Sequence, residues 1–236
     1  VVNNVASTIA RDSDGGVYIH AGPGVGVAAT ETFTSQVAVL TLLGLLFGRM
    51  HHLSSVDGLE IIDALEAIPQ KMREILAQKD RIKAIAEKHA HAEGMLFMGR
   101  QLNYPVALEG ALKMKEISYI YASGHPSAEL KHGVIALVKP DMPSVFIAPD
   151  DAVFDKNVSN IEEVRARKGP VVAVTTEGRT ELERITDDVI SIPGWPNIPS
   201  PILPVSPLQL LAYYTAVARG CDVDKPRNLA KSVTVE

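Results

Sequence analysis

Cysteine is nearly absent: Cys221 stands alone in 236 residues. This excludes an intramolecular disulfide framework and fits a reducing, cytoplasmic compartment. The expected role of Cys221 itself is that of a small core hydrophobe. No lysine- or arginine-rich run interrupts a chain whose formal net charge is −5, so neither nucleic acid nor a basic membrane-surface helix is expected. Long apolar runs are lacking as well. The most apolar stretch, VAVLTLLGLLF at 37–47, falls well short of the roughly 20 residues of a bilayer span and reads as a buried helix, with no membrane role. The opening VVNNVAST has no methionine and neither the charged n-region nor the cleavage pattern of a signal peptide, so the chain is expected to begin inside something longer. What is left, 46% hydrophobic and 22% charged residues, is the balance of a globular protein with a real core, in one large or two modest domains.

Chemistry-bearing residues concentrate in 99–133, GRQLNYPVALEGALKMKEISYIYASGHPSAELKHG. A strand end at 95–98 and a turn at Gly99 lead into a helix expected over 105–119, where Pro105 in the first turn has no intrahelical N–H bond to lose. At about 100° per residue Glu109, Lys113 and Glu116 share one narrow stripe, and apolar residues such as Val106, Leu108, Ala111, Leu112 and Met114 cover most of the remaining surface. Such a helix is expected to be largely buried, with its three charges facing each other or a cleft. A solvated Glu–Lys ladder, worth a few tenths of a kcal/mol, is the plainer alternative. Further on, AELKHG puts His132 before Gly133, a residue suited to ending a short helix. Two carboxylates, a lysine and a histidine this close in sequence are the groups that a proton-shuttling site uses.

Upstream, 17–20 reads as a short strand and AGPGVGVAATETFTSQ as a glycine-rich turn into a helix. The G-x-G-x-G of Gly22, Gly24 and Gly26 is not a dinucleotide fingerprint, and a tight turn is the better reading. Residues 32–92 read as helical: 32–50, 56–67, a helix opened by Pro69 and running through 76, and 81–91. His51, His52, His89 and His91 lack metal-ligand spacing and read as solvated polar residues; no metal and no cofactor are expected. From residue 94 onward, short apolar strands (143–149, 171–176, 189–193) alternate with helices near 158–168 and 207–219. The expected fold class is α/β, a doubly wound parallel sheet. Ligands of such sheets sit at the carboxyl ends of the strands, but the loops there, GRQLNYP and PDDAVF, are poor phosphate cradles because Asp150 and Asp151 would repel an anion.

LEGALKMKEISYI followed by AELKHG, and the C-terminal PRNLAKSVTVE at 226–236, resemble the isomerase half of the glucosamine-6-phosphate synthase family, which is built from two tandem sugar isomerase (SIS) domains. The resemblance covers essentially the whole chain. It implies the C-terminal part of a first SIS domain with a helical linker (1–78), a complete second SIS domain (79–222) and a catalytic tail (223–236). It also implies that the front of the first SIS domain, with its CGTS-like and SQSGET-like phosphate loops, and a glutaminase domain lie outside this chain. The implied reaction is ketose-to-aldose isomerisation of fructose 6-phosphate toward glucosamine 6-phosphate in a homodimer. In that reaction Lys231 forms a Schiff base, Glu116 moves the proton, Lys113 stabilises the enolamine oxygen, Glu109 orients Lys113, His132 assists ring opening from the neighbouring subunit, and the backbone at Val27 and Ala28 lies near the sugar. The family commonly shows AGxEIGVASTK, so Gly24 stands here for an acidic residue, Ala29 for a serine and Glu31 for a lysine: a local charge pair has been dropped or altered. Two other readings share the fold: a non-catalytic sugar-phosphate-binding SIS protein that regulates or assembles with a partner, and a stand-alone phosphosugar isomerase.

Overall fold

A computed structural model of the chain describes residues 1–194 and 201–231. Helices α1 (Thr8–Asp12), α2 (Glu31–Met50), α3 (Ser55–Ala77) and α4 (Lys79–His89) come first. Strand β1 (Gly94–Gly99), helix α5 (Asn103–Ser118) and strand β2 (Tyr121–Pro126) follow, then two 3-10 turns (Ser127–His132 and Val134–Leu137). The chain continues with β3 (Ser144–Ala148), α6 (Phe154–Ala166), β4 (Val171–Thr176), β5 (Asp188–Ile192) and α7 (Ile202–Ala218). All strand pairs are parallel and the order is β2-β1-β3-β4-β5. Because side chains alternate along a strand, Phe97, Val145, Ile147, Val172 and Val174 join a core with α4, α5 and α7, whereas Leu96, Met98, Phe146 and Ala173 join one with α6 and Leu130. Helices therefore cover both faces of the sheet, and the fold is the expected α/β, doubly wound one.

Two close approaches fix α5. A Cβ on Gly110 would come within 2.6 Å of Leu208 on α7, and one on Gly124 of β2 within 2.8 Å of the Leu108 backbone. Glycine at these two positions lets the helix lie hard against the sheet and α7 together. The helix ends at Tyr119, in the left-handed conformation with φ 63°. Arg219 donates to the carbonyls of Ser118 at 2.8 Å and Ala90 at 2.6 Å, satisfying groups that the ends of α5 and α4 leave unpaired.

Several local expectations are corrected. Pro69 does not open a helix but lies inside α3; Ala64, Ile68 and Ile75 keep one buried stripe running across it, which outweighs the local cost of proline. Pro207 likewise lies inside α7, which starts at Ile202. Residues 17–20 contribute only a single bridge, Val2 to Tyr18. The polar YASGHP, which carries no strand signal, forms β2, an edge strand held by β1 alone. The apolar run at 37–47 is not buried. It sits within the 20-residue α2, none of whose residues is buried and whose Leu40, Leu42, Leu46 and Phe47 are exposed. By length and hydropathy α2 meets the criterion for a membrane span, the one such helix among the described residues.

His89 is not solvated either. It is buried, with Nε2 2.8 Å from Asp188 Oδ2, and Lys88 donates to the same carboxylate at 2.8 Å. Gln78 and Arg81 donate to the carbonyls of Ser191 at 2.8 Å and Val189 at 2.6 Å, so α4 and the residue before it close the free edge of β5. Burial pushes the Asp188 carboxyl up, but the hydrogen bonds and charges of His89 and Lys88 outweigh it and hold the group below the ordinary carboxylate range. A depressed carboxyl contributes stability that is present above its unfolded value, about 3.9, and is lost as pH falls through the folded value. Asp188→Asn is therefore expected to lower stability by about 1–2 kcal/mol at pH 7. The difference should shrink below about pH 4, as read from urea unfolding midpoints across pH.

Candidate active site

Helix α5 buries the Lys113 side chain to 4% exposure. A buried ammonium must be matched, and the helix itself supplies the match: Glu116 Oε2 at 2.6 Å, one turn on, and Glu109 Oε1 at 3.6 Å, one turn back. Burial pushes the Glu109 carboxyl up against the pull of Lys113, and the nearby charge of Glu116 adds a smaller push in the same direction. The solvated-ladder alternative does not describe this trio. The exposed face of α5 carries Leu108 and Leu112 instead.

A second amine arrives from the tail. Asp222 Oδ1 accepts the N–H groups of Asp224 and Lys225, turning the chain after α7. The Asp224 carbonyl then accepts the Val27 N–H at 3.0 Å, and the Arg227 N–H donates to Tyr119 Oη at 2.9 Å while its guanidinium lies 4.1 Å over the tyrosine ring. The tail is thus laid between the 21–30 turn and the end of α5. It delivers Lys231, whose Nζ donates to the Gly26 carbonyl at 2.6 Å.

Between these parts lies a cavity of about 390 Å³, lined by the turn (Gly24, Gly26, Ala28), Glu31, Lys113 of α5, Gln209 and Tyr213 of α7, and Asp224 of the tail. Lys113 and Ala28 line it, Glu109 and Glu116 pair with Lys113 without being among the lining residues, and Lys231 contacts its wall at Gly24 and Gly26. Val27 contributes its backbone to the wall-to-tail bond rather than to the lining. His132 is placed elsewhere, exposed at the end of a 3-10 turn. Gln209 and Tyr213 went unnoticed in the sequence; a polar pair one turn apart on an otherwise buried apolar helix was the available signal. At the carboxyl edge of the sheet, where β1 and β3 diverge, polar groups pair internally instead. Asp150 bonds Arg179, and Asp151, its carboxyl raised by burial, accepts from Asn103 at 3.3 Å. Among the described residues no group of histidine, cysteine or carboxylate side chains has a metal-binding arrangement.

Residues 89–219 match the SIS domain family. The chain belongs to the SIS domain family. Over its whole length this SIS chain is 52% identical to the glutamine–fructose-6-phosphate aminotransferase (isomerizing) of Chlorobaculum tepidum, and 48% identical to that of Aquifex aeolicus. It spans 38% and 39% of the length of those two relatives. Among solved structures, the C-terminal domain of glucosamine-fructose-6-phosphate aminotransferase from Francisella tularensis superposes with a TM-score of 0.89 at 36% identity, over 94% of this chain and 63% of that one. Glucosamine-6-phosphate deaminase from Thermotoga maritima superposes with a TM-score of 0.74 at 22% identity, over 99% and 66%; at that identity the likeness is one of fold.

Removing the buried cation of this SIS chain leaves two carboxylates without their partner. Lys113→Met is expected to cost about 3 kcal/mol at pH 7, measured by urea unfolding. The loss should narrow toward pH 5, because Glu109, already above the ordinary carboxylate value, takes up a proton and sheds its uncompensated charge.

Proposed function

We propose that this chain is the isomerase portion of a glutamine–fructose-6-phosphate aminotransferase, forming glucosamine 6-phosphate from fructose 6-phosphate in amino-sugar biosynthesis. The observation that carries the reading is the convergence of two amines on one cavity: Lys113, buried between two carboxylates, and Lys231, brought from the tail to the lining residue Gly26. The identity to the aminotransferases over the whole chain supports it. Lys231, as the neutral amine, attacks C2 of the open-chain ketose, and the carbonyl oxygen leaves as water. Ammonia, supplied by a glutaminase domain in the longer protein, replaces the lysine at C2. Glu116 then takes a proton from C1 and returns it to C2, while the imine nitrogen gains a proton and the C1 hydroxyl loses one, so that C1 becomes the aldehyde and C2 carries the amine. Lys113, oriented by Glu109, offsets negative charge on the C1 oxygen as the enolamine forms. The backbone at Ala28 borders the sugar, and that at Val27, bonded to the tail, flanks it. The enzyme works as a cytoplasmic homodimer with a sugar phosphate as its ligand, and it takes neither nucleic acid nor a membrane as partner.

A non-catalytic SIS protein that binds a sugar phosphate and regulates or assembles with a partner is the second reading, favoured by the altered residues at Gly24 and Glu31. Borohydride trapping separates the two. With fructose 6-phosphate present, the complete protein should carry the reduced sugar on Lys231, located by peptide mass mapping, and Glu116→Gln should still trap while its turnover falls by roughly 10²-fold. Sugar on another lysine, or binding with no adduct, would transfer the support to the second reading.

His132, exposed and away from the cavity of its own chain, serves in this reading the site of the neighbouring subunit, where it opens the sugar ring. Mixing Lys231→Ala subunits with His132→Ala subunits, each inactive alone, should recover activity because a heterodimer has one site whole. Heterodimers that stay inactive would return His132 to its own subunit or to no catalytic part.

A further inference from the structure

Glycine at 24 leaves space that two flexible side-chain ends occupy, and its φ lies outside the left-handed region. A Cβ built there would fall on Lys231 Nζ and within 2.8 Å of Glu31 Oε1. The amine of the tail and the carboxylate of the first residue of α2 thus flank the volume that a side chain at 24 would occupy. The carboxylate is itself oriented: Oε2 accepts the Thr30 hydroxyl at 2.7 Å, which turns Oε1 toward the lysine. We propose that Glu31 is the positioning residue for Lys231, and that its carboxylate and the Gly26 carbonyl together seat the amine at the cavity wall in the room left by Gly24. The catalytic consequence rests on the Schiff-base reading above; the seat itself does not.

A lysine on an exposed tail has much rotamer freedom to lose, and a single carbonyl is a weak anchor for it. The Glu31 carboxylate, across the space at Gly24, adds a Coulombic attraction without a direct bond to the amine. The Glu31 carboxyl is held below its ordinary value first by the Thr30 hydroxyl and then by its own backbone N–H; burial opposes them, and the charge of Lys231, a smaller effect than burial, adds to the lowering. The other charged groups around the cavity are Asp224, on the tail side of Gly26, and Lys113 of α5, already matched by Glu109 and Glu116. From α7 the facing groups are the uncharged Gln209 and Tyr213. Besides the amine itself, the Glu31 carboxylate is the group nearest the space at Gly24.

Trace acetylation with acetic anhydride, read by peptide mass mapping on the complete protein without sugar, tests the seat directly. In Glu31→Gln the labelling rate of Lys231 at pH 7, relative to that of Lys139, should rise about 3-fold. This discounts the tenfold or greater effect of a close opposite charge for the exposure of both groups. The rate–pH profile should move toward lower pH, and Glu31→Asp should restore most of the wild-type profile. The exchange Gly24→Glu with Glu31→Lys, which moves the carboxylate to the other side of the same space, should also keep the wild-type profile, whereas Glu31→Lys alone should not. A Lys231 profile unchanged in Glu31→Gln, or one that Glu31→Asp fails to restore, would overturn the inference. Since no sugar is present, this result is independent of trapping. A moved profile beside absent borohydride trapping would sink the Schiff-base reading and uphold the seat.

Discussion

The Lys113 ammonium has nowhere to go. Helix α5 is pressed against the sheet at Gly124 and against α7 at Gly110, and its Lys113 side chain is only 4% exposed. Its charge must be met from within the helix, and Glu109 and Glu116, four residues before and three after, are where an α-helix presents neighbours on the same side. The cost of an unmatched buried charge is several kcal/mol, far above the value of a surface pair. The trio therefore ties the local geometry of the cavity floor to the packing of the whole domain.

The two amines of the site are prepared in opposite ways. Lys113 is buried, ion-paired and carried on the most constrained helix; Lys231 is exposed, held by a carbonyl and a neighbouring carboxylate, and carried on a tail. A group that only stabilises charge is best fixed in advance, because pre-organised charge need not be rearranged during reaction. A group that must form and release a covalent bond needs freedom to approach and withdraw. The tail is nonetheless anchored, by the Arg227 contact with Tyr119 and by the backbone bond between Val27 and Asp224, so its freedom is confined to the last few residues before Lys231.

Much of the architecture was written locally. The apolar strands β1, β3, β4 and β5 alternate with helices, and buried strands of this kind admit a parallel sheet covered on both faces. The charged stripe of α5 is a matter of helical period and follows from residue numbers alone. Local pattern also explains the misreadings. β2 lies at the edge with a partner on one side only, so its sequence has no need of the apolar run that marks a central strand. Pro69 and Pro207 look like helix starts, yet buried stripes on both sides of each carry α3 and α7 through them.

What the sequence determined by itself is the period of each element, and with it the fold class and the internal geometry of the α5 trio, because those relations span a few residues and obey fixed helical and strand spacings. Tertiary structure alone decided who stands opposite whom. His89 and Asp188 are 99 residues apart, and their contact turns a histidine that resembles a surface residue into a buried strap on β5. The apolar run of α2 declares what it would bury without naming a partner, and it remains exposed. Lys231 reaches Gly26 across 205 residues, and the exchanged residues at 24 and 31 become intelligible only when the tail is seen lying between them. Such meetings are set by how whole layers pack, a long-range property that no window of sequence contains.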